Sequence, residues 1–118
     1  METNTRVMNT AKNSVQIIEL QGRLDAHQGT QVDHVLAEAG RATKHTVVNL
    51  SKVQFIDSTG LSVLIKGMKY HRENQNNLVL CELQQPVRII FELTRLDKMF
   101  TIYPTENDAL QAFNPLCR

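Results

Sequence analysis

Asp57, Ser58, Thr59 and Gly60 follow an apolar run ending in Phe55-Ile56 and precede a helical stripe. At a helix N-terminus several backbone N–H groups have no intrahelical partner, and the aligned peptide dipoles leave partial positive charge. A phosphate on Ser58 would place about −1.5 to −2 charges at that end, where the fold tolerates them. The plainer reading is a cap, in which Asp57 or Ser58 accepts from a free N–H, worth about 1 kcal/mol. Gly60 asks for more than a cap. Glycine is about 1 kcal/mol worse than alanine in a helix, so its use here points to bare backbone near the hydroxyls or to close approach by a partner. Ser58 therefore reads as a regulatory phosphorylation site, with Thr59 as second acceptor in the same turn. Asp57 makes the patch acidic beforehand, and a phosphate deepens it against any acidic or apolar docking surface.

Catalytic chemistry fits this segment poorly. Ile56-Asp57-Ser58-Thr59-Gly60 lacks the glycine two residues before serine that a Gly-x-Ser-x-Gly elbow requires. An aspartic-protease loop needs Asp-Thr-Gly or Asp-Ser-Gly, and here a residue intervenes. His27, His34, His45 and His71 are scattered, with no motif tying one to Ser58. His34 and Glu38 share a helix face at i, i+4, but two ligands are too few for a metal, and a solvated pair suffices. No glycine-rich phosphate loop of either common kind is present. The expectation is a protein that is not an enzyme and uses neither metal nor cofactor.

The elements that position these residues follow from periodicity. Thr5 to Asn9 is a weak first strand, and Ser14 to Leu20 alternates as a second, ended by Gly22. Asp25-Ala26-His27-Gln28 has the spacing of a capping box, opening a helix whose face is Val32, Val35, Leu36 and Ala39, with Gly40 as its stop. His45 to Leu50 is a largely buried strand, followed by a loop to Asp57. Leu61, Leu64, Ile65 and Met68 then give a helical stripe that predicts a helix over Ser58 to Glu73. Leu78 to Leu83 is a strand, Pro86 opens a third helix, Phe100 to Tyr103 is a last strand, and Thr105 caps a final helix carrying Ala109, Leu110 and Phe113. This alternation predicts an α/β fold: a mixed, mostly parallel sheet of four or five strands with about four helices packed on it. The crossover rule puts Ser58 at the carboxyl edge of the sheet, where open α/β folds bind ligands.

The 118 residues suit one domain over 1–118, with loose ends expected at 1–4 and 114–118. A net charge of +1 gives no bulk attraction to nucleic acid or to an anionic membrane, and Lys66, Lys69 and Arg72 read as a solvated helix face. No apolar run reaches the roughly 20 residues of a membrane span, and the first 13 residues lack the layout of a secretory signal. Two cysteines, Cys81 and Cys117, make no disulfide framework, so a cytoplasmic protein is expected.

Several segments in order, Leu20-Gln21-Gly22-Arg23-Leu24-Asp25, Val47-Val48-Asn49-Leu50 and Phe55-Ile56-Asp57-Ser58-Thr59-Gly60-Leu61, resemble the STAS domain of bacterial anti-sigma factor antagonists. The resemblance continues through Leu78-Val79-Leu80-Cys81, Pro86-Val87, Leu93-Thr94-Arg95-Leu96-Asp97 and Phe100-Thr101-Ile102 to Glu106-Asn107-Asp108-Ala109-Leu110, nearly the whole chain. It implies transcription regulation through protein–protein interaction. The serine matching Ser58 would be phosphorylated by an anti-sigma factor that is itself a serine-protein kinase, the unmodified form would bind that kinase, and a serine phosphatase would reset the switch. It implies a partner-binding face at Asp25, Asp57, Ser58, Thr59, Gly60, Leu61 and Ser62. Ser62 stands where relatives often carry glycine or another small residue, and Arg95 where they often carry glycine in a turn. STAS domains also serve as constitutive scaffold or adaptor subunits of stress-signalling or lipid-transport complexes without a phospho-switch, which is the alternative.

Overall fold

Residues 2–9, 14–26, 29–42 and 44–113 are described by a computed structural model. Five strands, β1 (Glu2–Asn9), β2 (Ser14–Leu24), β3 (His45–Ile56), β4 (Asn77–Cys81) and β5 (Ile102–Tyr103), form one sheet in the order β1-β2-β3-β4-β5. The β1–β2 pair is antiparallel and the other three pairs are parallel, which is the mixed, mostly parallel sheet expected. The helices are α1 (Gly29–Ala42), α2 (Ser58–Glu73), α3 (Gln85–Leu93) and α4 (Glu106–Ala112).

Strand alternation divides the core into two layers. Ile18, Leu20, Val48, Leu50, Leu78 and Leu80 face α1, α2 and α3 and bury with Leu36, Leu64, Val87 and Phe91. Val15, Ile17, Val47, Val79 and Cys81 point the other way and meet Ala109 of α4. The second layer is thinner because α4 has only seven residues. Thr105 caps α4 as expected, its hydroxyl accepting from the Asp108 N–H at 3.1 Å.

Several boundaries differ from the sequence reading, each for a tertiary reason. The β1 ladder begins at Glu2↔Gln21, so residues 2–4 are paired rather than loose, while residues 1 and 114–118 lie outside the described residues. Gly22 does not end β2. It sits at φ +93° beside an irregularity in the β2–β3 ladder, and pairing resumes with Arg23↔Phe55 and Leu24↔Ile56. Because β2 runs to Leu24 and α1 starts at Gly29, the capping box expected at Asp25 does not open the helix, and His27 and Gln28 lie outside the described residues. Gly40 is not a stop either. It lies inside α1, where a Cβ would approach His71 Nδ1 to 3.1 Å. β3 extends through the expected loop to Ile56, because Gln21 to Leu24 continue to offer it a ladder.

α2 keeps the predicted limits, Ser58 and Glu73, but its buried face is Gly60, Val63, Leu64, Gly67, Met68 and His71, with Leu61 and Ile65 at the margin. Gly67 lets α1 come close, since a Cβ there would meet Leu36 Cδ1 at 2.8 Å. His71 is fully buried. Its Nδ1–H donates to the Gly67 carbonyl at 2.7 Å, and Nε2 accepts from the Thr46 hydroxyl at 2.8 Å, tying α2 to β3. Arg95, after α3, adopts φ +62°, the left-handed conformation in which a glycine is the unstrained residue. No helix among the described residues is long and apolar enough to cross a membrane.

Candidate functional site

The β2–β3 ladder continues past β4, whose pairing with β3 stops at Asn49↔Cys81. It delivers Leu24 and Ile56 side by side, and the next residue, Asp57, turns the chain into α2. Asp57 is extended at φ −113°, ψ −174°, its N–H donates to the Leu24 carbonyl at 3.3 Å, and its own carbonyl accepts the first helical bond from Leu61 at 2.9 Å. Its side-chain Oδ1 accepts from the Gly60 N–H at 2.9 Å. Of the two N-cap residues open in the sequence, the cap is Asp57.

Gly60 has an internal explanation. A Cβ at this position would run into the Leu24 carbonyl oxygen and would lie 2.9 Å from both Ile56 Cγ1 and Leu24 Cγ. The close approach inferred for Gly60 is therefore that of β2, and Gly60 itself is buried.

Ser58 and Thr59 are exposed on the first turn, and the Ser58 hydroxyl makes no hydrogen bond among the described residues. The Ser58 carbonyl accepts from the Ser62 hydroxyl at 2.9 Å, so Ser62 is turned back along its own helix. Leu61 is half-buried against the main core, and the exposed groups of the segment are Ser58, Thr59 and Ser62, of which Ser62 is bonded back to its own helix.

Asp25 is brought to the same end of the sheet, one residue beyond Leu24 just as Asp57 is one beyond Ile56. Its Oδ2 lies 3.5 Å from Arg23 Nε, and the Arg23 guanidinium rests 4.2 Å above the Phe55 ring. Phe55 is 37% exposed, so Arg23 and Phe55 add a cation and an aromatic face to the acidic turn. Neither was anticipated from the sequence. Phe55 pairs with Arg23 across the β2–β3 ladder, a register that only the extension of β3 beyond Leu50 reveals.

The sheet offers no crevice of the doubly wound kind at this edge. Such a crevice needs a reversal of strand order, and here sequential strands are always neighbours. The carboxyl edge carries the acidic side chains of Asp25 and Asp57 beside the exposed Ser58 and Thr59. Among the described residues no group of three or more His, Cys, Asp or Glu side chains could hold a metal. His34 and Glu38 form an exposed i, i+4 contact at 3.4 Å.

A family model described as the STAS domain matches residues 6–109. The chain belongs to the STAS domain family. Among relatives, this STAS chain is 33% identical over 98 residues to an anti-sigma F factor antagonist of Paenibacillus polymyxa, covering 81% of the present chain and 84% of that protein. It is similar in structure to an anti-sigma factor antagonist from Mycobacterium paratuberculosis, with 25% identity, TM-score 0.75, and coverage of 94% and 93% of the two chains. The Bacillus cell fate determinant SpoIIAA in its phosphorylated form shares the fold, at 20% identity and TM-score 0.66 over 92% of this chain and 98% of that one.

Proposed function

We propose that this STAS chain is an anti-sigma factor antagonist whose turn at the start of α2 binds an anti-sigma factor and is switched by phosphorylation of Ser58. The observation that carries the switch is the division of labour between neighbours: Asp57 supplies the cap, and the exposed Ser58 hydroxyl has no hydrogen bond among the described residues. A kinase can therefore modify Ser58 without taking a stabilising bond from the helix. The added charge lies beside Asp57 and near Asp25, so it alters the docking surface far more than the fold. The relative from Paenibacillus polymyxa, an anti-sigma F factor antagonist, supports the class of partner. In this reading the partner is an anti-sigma factor with serine-kinase activity, bound through Asp25, Asp57, Ser58, Thr59 and the adjoining Arg23–Phe55 face. A serine phosphatase restores the binding form. Gly60 and Leu61 shape the turn from within, and the exposed Ser62 borders the same face.

The test is to recover the protein from its own cells with and without phosphatase inhibitors, map phosphate by mass spectrometry and identify co-purifying proteins. Phosphate on Ser58, with an anti-sigma factor retained only by the unmodified form, is the expected result. Phosphate confined to residues other than Ser58 and Thr59, or a partner held equally by both forms, overturns the switch.

A further inference from the structure

The opposite end of α2 carries a second feature. Sixteen helical residues span about 24 Å, so the last turn lies at the amino edge of the sheet, far from Ser58. There a cleft of about 370 Å³ opens among the starts of β3, β4 and β5, the end of α2 and the end of α4. Its size falls within the roughly 300–1,000 Å³ of small-molecule sites.

The lining has a consistent character. His45, Arg72, Asn77, Thr101, Tyr103 and Phe113 contribute to it, and among the described residues it includes no aspartate or glutamate. The only partner of the Arg72 guanidinium among the described residues is the Met68 sulfur at 3.8 Å, a weak acceptor for a group with five N–H donors. The carbonyl end of α2, which would otherwise repel an anion, is covered: the Asn74, Gln75 and Asn76 N–H groups donate to Tyr70, His71 and Arg72 carbonyls. Asn77 Nδ2 lies 3.3 Å from His45 Nδ1, which fixes the imidazole. That ring is buried and stacks on the half-buried Phe113 with centroids 4.2 Å apart and planes within 18°, so Phe113 is held as an apolar surface beside the cation and the hydroxyls.

We propose that this cleft binds a small organic anion with a flat apolar body, of the aromatic carboxylate type. The carboxylate pairs with Arg72, whose planar fork matches two oxygens, while Thr101 and Tyr103 offer hydroxyl donors and the ring lies against Phe113. The site is independent of the Ser58 switch, resting on other residues at the other end of the helix.

An amide-resolved NMR titration of the full chain with sodium benzoate tests it, with acetate and benzyl alcohol as separate arms. Benzoate is expected to give saturable shifts at His45, Arg72, Asn77 and Thr101 and none at Ser58 or Thr59. Arg72 is exposed, so Arg72→Ala should keep the wild-type melting curve while weakening benzoate about tenfold or more, and Arg72→Lys should retain part of the affinity. Acetate saturating as tightly as benzoate overturns the apolar body, and benzyl alcohol doing so overturns the anion. Absence of saturable shifts, shifts centred on Ser58, or benzoate affinity unchanged in Arg72→Ala overturns the site.

Discussion

The carbonyl oxygen of Leu24 occupies the space that a Cβ on Gly60 would need. A strand end and a helix start are thereby locked at van der Waals contact, and the turn bearing Ser58 is seated on β2 as well as on β3. Gly60→Ala should therefore destabilise the protein by about 1–3 kcal/mol, despite alanine's helix propensity advantage of about 1 kcal/mol. Urea unfolding measures it, and an alanine variant as stable as the parent would contradict the packing described.

Asp57 and Ser58 should separate cleanly in unfolding experiments. Asp57→Ala removes the side chain that accepts from the Gly60 N–H and should cost about 1 kcal/mol. Ser58→Ala removes an exposed hydroxyl with no bond among the described residues and should stay within about 0.5 kcal/mol of the parent. Equal losses in the two variants would make Ser58 a structural residue.

Ser58→Asp addresses the docking face. The melting temperature should hardly change, because a carboxylate at a helix N-terminus is favourable while its neighbour Asp57 opposes it. Affinity for the anti-sigma factor recovered from cells should fall about tenfold or more, read by calorimetry against the parent. Undiminished binding would leave a constitutive adaptor as the better description.

Stability should decline in mild acid through His71. Burial holds its imidazole below the ordinary 6.5, and the hydrogen bond to the Gly67 carbonyl opposes that shift without reversing it. The unfolded chain thus takes up a proton at a pH where the folded chain does not, so stability rises with pH across that window. The contribution is whole above pH 6.5 and is lost as pH falls toward the lower folded value. His45, lowered by burial and by Lys44, acts in the same direction. Urea midpoints from pH 8 to pH 5 should fall in the parent and fall less in His71→Gln; a flat profile would refute the assignment.

Arg95 offers a gain. Its left-handed backbone costs a non-glycine residue about 1–2 kcal/mol, which outweighs the chain entropy of about 0.5–1 kcal/mol that glycine adds to the unfolded state. Arg95→Gly should be neutral to slightly stabilising in thermal denaturation, and a clear loss would show that the arginine side chain contributes packing of its own.

Much of this molecule was readable from spacing. The stripe from Leu61 to Met68 located α2 to the residue, and the alternation of strands with helices gave the sheet. What escaped depended on contacts between distant segments. The pattern Asp25-x-x-Gln28 has the form of a cap, but β2 continues beside β3 to Leu24 and moves the helix onward. Ser51 to Ile56 looked like a loop because its polar residues mask a strand whose ladder comes from Gly22 and its neighbours. Gly60 suggested an outside partner because the Leu24 carbonyl is 36 positions away in the chain. His71 is legible in the pattern: it extends Leu64 and Met68 by three residues on the buried face, where an imidazole must find partners such as Gly67 and Thr46.

The strand order β1-β2-β3-β4-β5 has a consequence for biogenesis. Every strand pairs with the one made just before it, so no element waits for a distant segment to complete its ladder. A chain leaving the ribosome at about 5–20 residues per second releases its strands in the order in which they pair. The acidic turn before α2 is held by β2 and β3, so the segments that seat Ser58 leave the ribosome before β5 and α4, whose Ala109 closes the second core layer.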